Sequence, residues 1–475
     1  MKYKTKEEES PTFVFSVSFN PTNRERSKPV EKADIVIVGG SAAGLTAGIT
    51  ARRHFPEKKV LLIRKEEQVL IPCGIPYIFG TVGSPDKNLI PDAALEKNGI
   101  DLMVDEVVGI DSGNRVVSTK AGKEVGYDKL IVATGSLPIM PPIPGSDKEN
   151  VFAVLKEVPF LRKMQDTLKG VSDLVVVGGG FIGVEFADEC NKNPDLNVTI
   201  VEMLPHCLML AYDEEFCTEA ERLLKERGIK IRTSERIEAI TGGERVAGVR
   251  LQNGEELKAD ALLLGIGATA NIALAKDAGL RLGPTGSIAV DRTMRTSDDH
   301  IFACGDCAEK RSFFGGTQSK LKLASIATSE ARIAGANLFG IQRENIGTIG
   351  VFSTAIGDTA FATAGLTASM AKRQGYDVVT GVAEAPNRHP GGMPGMTNMK
   401  VKLTFERRTG VILGGQIMGD KAAGELINGI SACIQRKMLA NDIAIFQTGT
   451  HPALTASPVA YQFVNAAEAA IGAMR

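Results

Sequence analysis

The sequence contains no tryptophan and few aromatic residues, which make up 5% of its 475 positions. It also has almost no net charge, because 55 basic and 56 acidic side chains leave a formal charge of −1. Proteins that bind nucleic acids need a basic face for the phosphates, and many use aromatic side chains to stack the bases. The composition therefore predicts no nucleic-acid partner.

Long apolar runs and a regular cysteine pattern are also missing. An uncharged apolar run of about 18 residues would indicate a membrane span, and since none is found we predict no membrane association. The seven cysteines are scattered and odd in number, unlike a disulfide framework, so we expect a reducing, cytoplasmic location. Residues 1–32 lack the features of a signal peptide and are predicted to form a flexible extension.

Glycine is abundant, with 51 residues, and much of it follows strand-like segments. The apolar run Ile35–Val38 leads into GGSAAG, a helix-like segment and a second strand at Val60–Ile63. The same order returns between Leu174–Val177 and Val198–Val201. Two such βαβ units predict an α/β protein with two Rossmann-like domains. From about Ile346 onward, strand-like and helix-like stretches alternate without a glycine motif, which indicates an α+β region suited to a subunit interface.

The second glycine motif has the complete pattern for binding a dinucleotide. Its glycines permit a tight turn, a close approach of the pyrophosphate and close packing of helix on strand. An acid at the end of the next strand bonds the ribose diol and disfavours a 2′-phosphate, which predicts NADH, with NADPH left open. The predicted contacts with the nicotinamide cofactor are Gly178, Gly180, Ile182, Gly183, Glu202 and Gly267.

The first glycine motif departs from that pattern at two positions. Gly39 and Gly44 occupy the outer positions, but Ser41 replaces the middle glycine. Serine is small, so the turn still suits a pyrophosphate. Arg64 stands where the ribose-binding acid is expected, and Glu66 or a backbone group is left open as its substitute.

Two further motifs, in which a strand is followed by a turn, are LIVATGSLP at Leu130–Pro138 and HIFACGDCAE at His300–Glu309. With both glycine motifs, the sequence resembles the FAD-dependent pyridine nucleotide-disulfide oxidoreductases from about Ala33 to the C-terminus. The resemblance implies FAD in the first fold. The residues expected to contact FAD are Gly39, Ser41, Ala42, Gly44, Arg64, Thr134, Gly135 and Asp306.

The resemblance also implies how the chain is divided. It predicts an FAD domain at residues 33–150 and 285–345, an inserted NAD domain at 151–284 and a C-terminal dimerisation domain at 346–475. A protein organised in this way is expected to be a homodimer.

A single cysteine, Cys73 in QVLIPCGIPYIFG, points to one branch of that family. The glutathione-reductase branch carries a redox disulfide spaced Cys-x4-Cys, but Ile78 stands at the partner position here. The segment resembles coenzyme A-disulfide reductases, NADH oxidases, NADH peroxidases and persulfide or polysulfide reductases. An alternative interpretation makes Cys73 a small buried apolar residue, although Gly74 and Pro76 indicate a fixed turn against a ligand.

The chemistry implied by the resemblance runs from NAD(P)H through FAD to a sulfur–sulfur bond at Cys73. The attacking group is a thiolate, so a lowered thiol pKa is required. Ala42 replaces the histidine typical of peroxidases, whereas Thr46 and Arg53 match family contacts with coenzyme A. The partner-subunit tyrosines of coenzyme A-disulfide reductases are missing. A small substrate such as a coenzyme A persulfide or a polysulfide is therefore favoured over a bulky disulfide.

Two histidines and a CxxC sequence remain to be interpreted. His451 precedes a proline, as in the glutathione-reductase acid–base motif, but the orienting glutamate is absent, which leaves catalysis or a structural role open. His389 is predicted to lie in a loop that lines an entrance. Cys304 and Cys307 flank the GD motif without further ligands, so no metal site is predicted.

Alternative functions are left open. One is an NADH oxidase that passes electrons to oxygen at the flavin. Another is an electron-transfer flavoprotein that reduces a partner redox protein, and a third is a nucleotide-sensing dimer with little turnover.

Overall fold

The computed structural model describes residues 31–475. The predicted extension, residues 1–32, lies outside this range except for Glu31 and Lys32, which begin the first strand. No helix within the described range is long and apolar enough to cross a membrane.

The first part of the chain forms most of a seven-stranded sheet. Its elements are β1 Glu31–Val38, α1 Ala42–His54, β2 Val60–Arg64, β3 Val69–Leu70, β4 Leu89–Ile90, α2 Ala93–Lys97, β5 Asp101–Val104, β6 Val107–Asp111, β7 Val116–Thr119, β8 Glu124–Val132 and β9 Ser136–Pro138. β1 is central and pairs in parallel with β2 and β8. Its run Val36–Val38 is buried, which is why that segment is continuously apolar.

The second part forms its own five-stranded parallel sheet, in the order β10-β17-β11-β12-β13. Its elements are β10 Val151–Ala153, α3 Val158–Leu168, β11 Asp173–Val177, α4 Phe181–Cys190, β12 Asn197–Val201, α5 Glu214–Glu226, β13 Lys230–Arg232, β14 Ile237–Thr241, β15 Gly248–Leu251, β16 Glu256–Lys258, β17 Ala261–Leu264, β18 Ala268–Ala270 and α6 Ala273–Asp277. β14, β15 and β16 make a small antiparallel sheet, and β18 pairs with β9.

The chain then returns to the first sheet. The returning elements are β19 Ile301–Ala303, β20 Lys310–Arg311, β21 Gln318–Ser319 and α7 Ala324–Asn337. β19 pairs in parallel with β8, and α7 packs along α1. The second sheet is thus inserted between two segments that build the first.

The C-terminal part is a five-stranded antiparallel sheet, in the order β22-β23-β26-β25-β24, covered by helices. Its elements are β22 Val351–Ile356, β23 Thr359–Gly365, α8 Ala368–Arg373, β24 Val378–Pro386, β25 Asn398–Glu406, β26 Ile412–Gly419, α9 Ala423–Gln435, α10 Ala440–Ala444 and α11 Gln462–Met474. The predicted fold class, two Rossmann-like units followed by an α+β unit, is confirmed. The residue boundaries of the domains stay a prediction.

Candidate functional site

The first glycine loop joins β1 to α1 in the shape that a pyrophosphate requires. Gly39 has φ +114°, and a Cβ there would overlap the carbonyl oxygen of Ala133. A Cβ at Gly44 would overlap the carbonyl oxygen of Gly39. Ser41 is the N-cap of α1, yet its side chain makes no capping hydrogen bond to the described helix. The N–H groups of the first turn of α1 therefore suit an anionic ligand.

The turns after β8 and β19 meet beside this loop, because parallel neighbouring strands end at the same edge of a sheet. Thr134 Oγ1 donates to the carbonyl of Asn271 at 2.7 Å, and the Asn271 N–H donates to the carbonyl of Gly135 at 2.9 Å. Ser136 Oγ donates to Asp306 Oδ2 at 2.8 Å. The structure thus brings the two family motifs to the edge that carries the first glycine loop.

Arg64, at the position of the expected acid, is buried and strongly bonded to protein groups. Its guanidinium donates to both carboxylate oxygens of Asp92, at 2.6 and 2.9 Å. It also donates to the carbonyls of Glu66 at 2.8 Å and Glu67 at 3.0 Å. These contacts hold the loop after β2. A contact between Arg64 and FAD stays a prediction.

The second glycine loop repeats this geometry between β11 and α4. Gly178 has φ +102°, and a Cβ at Gly183 would overlap the Gly178 carbonyl oxygen. A Cβ at Gly180 would meet no described atom within 4 Å, so a ligand can approach this backbone closely. Ile182 is 42% exposed, and Gly267 has φ +103° in the turn between β17 and β18.

Glu202 directly follows β12 and lies against the second glycine loop. Its carboxylate accepts hydrogen bonds from Gly179 N at 2.6 Å and from Leu204 N at 2.7 Å. An open cleft of about 460 Å³ beside Met203 is also lined by Arg236. Sequence reasoning did not identify Arg236 as a basic residue near Glu202, because it lies well beyond the residues that directly follow Glu202.

Cys73 lies on a 3₁₀ turn, Pro72–Gly74, between β3 and β4. A Cβ at Gly74 would overlap Asn88 Oδ1, and Asn88 Nδ2 donates to the Ile71 carbonyl at 2.9 Å. Cys73 is exposed, whereas the six other cysteines are buried. The alternative interpretation, in which Cys73 is a buried apolar residue, is therefore wrong.

The segment that follows Cys73 packs on α4, the helix of the second glycine motif. Thr81 N donates to Glu189 Oε2 at 2.7 Å, and the rings of Phe79 and Phe186 are 5.2 Å apart. The segment therefore lies against the second glycine motif, while the charge of Asp306, in the turn after β19, also acts on Cys73.

The described protein groups raise the pKa of the Cys73 thiol. Desolvation by neighbouring atoms is the largest cause, and the negative charges of Glu185 and Asp306 add to it, while Lys156 lowers the pKa. Lys156 Nζ lies 3.8 Å from Asp306 Oδ2 and 3.4 Å from Ser136 Oγ. The lowered pKa that the chemistry requires is therefore not supplied by the chain alone.

Glu185 on α4 is a further candidate that sequence reasoning missed. Burial raises the pKa of this carboxyl, the hydrogen bond from Thr354 opposes the shift and the Glu189 charge adds to it, so that the pKa is about 7. Thr354 Oγ1 donates to Glu185 Oε1 at 3.0 Å. The available signal was an acidic residue between the apolar residues Val184 and Phe186.

Thr46 and Arg53 are two turns apart on α1 and share one face of the helix. Arg53 is exposed and Thr46 is partly buried. The carbonyl of Thr46 accepts a hydrogen bond from Thr50 Oγ1 at 2.7 Å. A role in binding coenzyme A stays a prediction.

His451 and His389 lie on neighbouring loops of the C-terminal unit. His389 N donates to the Pro452 carbonyl at 3.1 Å, and His451 N donates to Thr455 Oγ1 at 2.9 Å. No hydrogen bond among residues 31–475 joins His451 to the cysteine segment. A catalytic role for His451 stays a prediction.

Cys304 and Cys307 are buried beneath the GD turn, and the Cys307 thiol donates to the Cys304 carbonyl at 3.3 Å. Within the described part of the chain, no group of three or more histidine, cysteine, aspartate or glutamate side chains is arranged to hold a metal ion.

The comparisons with known proteins agree with this geometry. The family description "Pyridine nucleotide-disulphide oxidoreductase" matches residues 33–331, and its dimerisation domain matches residues 351–460. The NAD(P)H coenzyme A polysulfide/persulfide reductase of Pyrococcus horikoshii is 33% identical, covering 84% of this chain and 92% of that protein. The NADH oxidase of Methanocaldococcus jannaschii is 32% identical, with coverages of 86% and 92%.

A solved structure is also similar to this chain over most of its length. The NAD-dependent persulfide reductase from A. fulgidus superposes with a TM-score of 0.85 at 30% identity, covering 93% of this chain and 83% of that one. This chain therefore belongs to the pyridine nucleotide-disulphide oxidoreductase family, whose FAD and NAD(P)H cofactors are those that the sequence predicted.

Proposed function

We propose that this protein uses NAD(P)H and FAD to reduce a sulfur–sulfur bond in a coenzyme A persulfide, a polysulfide or coenzyme A disulfide through Cys73. The observation that carries the proposal is the exposed Cys73 on a tight turn, whose following segment Pro76–Phe79 packs against the helix of the second glycine motif. The printed names of the Pyrococcus and A. fulgidus relatives support this substrate class.

The chain offers a separate site for each cofactor. The loop from Gly39 to Gly44 and the N-terminus of α1 would hold the FAD pyrophosphate, and Asp306 would bind the ribityl chain. The loop from Gly178 to Gly183 would hold the nicotinamide cofactor, with Glu202 at its ribose. When bound, FAD accepts hydride from NAD(P)H and makes two electrons available to sulfur.

Cys73 carries the sulfur chemistry in this proposal. Its thiolate attacks one sulfur of the substrate bond and forms a new sulfur–sulfur bond with it, and the other sulfur leaves as a thiolate, a hydrosulfide ion or a shorter polysulfide ion. Reduction of the new bond by two electrons and one proton regenerates the Cys73 thiolate and releases the attached sulfur as a thiol, hydrogen sulfide or a shorter polysulfide. Lys156 opposes the high thiol pKa, and Glu185, with a pKa of about 7, can exchange a proton near neutral pH.

The proposal also assigns residues to substrate binding and to dimer formation. Thr46 and Arg53 are assigned to coenzyme A. The exposed apolar residues Ile445 (80%), Leu454 (70%) and Val459 (87%) support burial of the C-terminal unit in a homodimer. His451 would then reach the partner subunit's site. The free state of all seven cysteines fits a reducing, cytoplasmic location.

Replacing Cys73 by serine tests the function directly. Wild type and Cys73→Ser are compared for NAD(P)H-driven reduction of a persulfide, of oxygen and of an artificial dye. The proposal expects the variant to lose persulfide reduction and to retain dye reduction, which shows that the flavin site is intact. Persulfide reduction at the wild-type rate would refute the thiol mechanism.

An NADH oxidase is the second candidate, favoured by the printed name of the Methanocaldococcus relative. In that case wild type reduces oxygen faster than any persulfide, and the substitution at Cys73 lowers the two activities by different factors. The same three assays therefore separate the candidates.

A further inference from the structure

A buried ion pair lies beneath the turn that follows β19. Lys310 on β20 and Glu330 on α7 each have side chains only 2% exposed, and Lys310 Nζ is 3.1 Å from Glu330 Oε2. Glu330 Oε1 is buried without a hydrogen-bond partner among the described residues. Burying two charges carries a large desolvation penalty, so an ion pair at this depth contributes little net stability by itself.

The pair binds both polar backbone groups of one residue. Lys310 Nζ donates to the Gly305 carbonyl at 2.6 Å, and Gly305 N donates to Glu330 Oε2 at 2.9 Å. Gly305 has φ +80°, and a Cβ there would lie 2.9 Å from the Cβ of Ala43 on α1. Gly305 is buried, so its N–H and its carbonyl need hydrogen-bond partners within the protein. Glu330 accepts from the N–H, and Lys310 donates to the carbonyl.

The residue after Gly305 is Asp306, whose carboxylate accepts the hydrogen bond from Ser136. The ion pair is therefore one residue away from the side chain assigned to the ribityl chain of FAD. We propose that Lys310 and Glu330 are positioning residues, which hold the Gly305–Asp306 turn ready for FAD and thereby slow the release of the flavin. The proposal rests on the proposed contact of Asp306 with FAD.

The rate of FAD release from the purified holoenzyme tests this proposal, because free FAD is more fluorescent than the protein-bound flavin. Glu330→Ala removes the acceptor of the Gly305 N–H and leaves the charge of Lys310 unpaired. We expect release to become about 10- to 100-fold faster, the effect of an unsatisfied buried polar group. The visible absorption bands of the flavin that remains bound should also shift, which a structural defect far from the flavin would not cause.

Two conservative variants keep the test informative if Glu330→Ala fails to fold. Glu330→Gln retains an oxygen acceptor for Gly305 and should release FAD at an intermediate rate. The double variant Lys310→Gln/Glu330→Gln keeps donor and acceptor without either charge and should recover most of the wild-type rate. Glu106→Gln, in the exposed pair with Lys120 at 3.0 Å, is the matched control and should release FAD as wild type does.

Release at the wild-type rate and an unchanged flavin spectrum in both Glu330 variants would overturn the proposal. Asp306→Ala separates it from the assignment on which it rests. Fast release only in Asp306→Ala would overturn the role of the ion pair. Fast release only in the Glu330 variants would overturn the contact of Asp306 with FAD and support the ion pair as the group that holds the turn.

Discussion

Replacing Gly74 by alanine should loosen the turn that carries Cys73. The new Cβ would overlap Asn88 Oδ1 and lie 2.9 Å from Asn88 Cγ. Asn88 is only 4% exposed, so its side chain has little room to move away. Displacing it breaks the 2.9 Å hydrogen bond from Asn88 Nδ2 to the carbonyl of Ile71.

The size of the effect follows from these two losses. Overpacking a closely packed site costs about 1–3 kcal/mol, and one hydrogen bond contributes about 1 kcal/mol. The free energy of opening the turn should therefore fall by about 2–4 kcal/mol. Exchange of an amide hydrogen that requires local opening would then be faster by a factor of about 30 to 700. The amide of Ile71, which donates to the Asn88 carbonyl at 2.9 Å, reports this opening.

Hydrogen exchange followed by mass spectrometry, on peptides that cover residues 69–90, measures the change. Gly424→Ala is the matched control, because its Cβ would meet nothing within 4 Å and alanine favours the helix α9. The double variant Gly74→Ala/Asn88→Ala removes the overlap and should exchange more slowly than Gly74→Ala alone. Equal exchange in Gly74→Ala and Gly424→Ala would refute the steric argument.

Three further predictions concern charged groups. The folded-state pKa of Glu185, about 7 against an ordinary 4.5, favours the protonated form, so the free energy of unfolding should fall by up to about 3 kcal/mol as pH rises from 4.5 to 7. Glu185→Gln should lack that dependence in denaturant titrations. Because Lys156 lowers the pKa of Cys73, Lys156→Gln should raise that pKa, and alkylation by iodoacetamide should become slower at neutral pH. Asp213→Asn removes a carboxylate 2.9 Å from Lys402 Nζ, both side chains being mostly buried, and should destabilise the protein by about 2 kcal/mol, measured as a lower midpoint of thermal unfolding.

Each of these predictions has an outcome that would contradict it or a variant that controls for it. An unchanged pH dependence in Glu185→Gln would assign the titration to other groups. Lys156→Arg keeps the positive charge and should alkylate like wild type, whereas Lys65→Gln alters only an exposed pair with Glu157 and should have no effect. A wild-type midpoint for Asp213→Asn would show that Lys402 is adequately paired without it.

The two nucleotide-binding units could be predicted from the sequence because their determinants are local. Gly39 and Gly178 require a positive φ, and Gly44 and Gly183 leave no room for a Cβ against the preceding turn. An apolar strand on one side and a helix on the other then fix the shape of the loop. The missing partner at Ile78 likewise identified the single-cysteine branch, since it depends only on the spacing within one segment.

The surroundings of these motifs could not be predicted, because they join residues that are far apart in the sequence. Arg64 stands where a ribose-binding acid is expected, but it is held by Asp92, which lies 28 positions later at the start of α2. Glu185 acquires its high pKa from burial and its hydrogen bond from Thr354, 169 positions later. Neither contact leaves a periodic or spaced pattern in the sequence.

The sequence by itself determined the family, the fold class and the cofactors, because each is encoded by short motifs with strict backbone requirements, and it predicted a reactive cysteine at Cys73. Only the tertiary structure decided that Cys73 is exposed, which charges act on its thiol, and that Lys310 and Glu330 meet around Gly305. Burial and electrostatic interactions depend on distance in space, and packing of separate elements sets those distances.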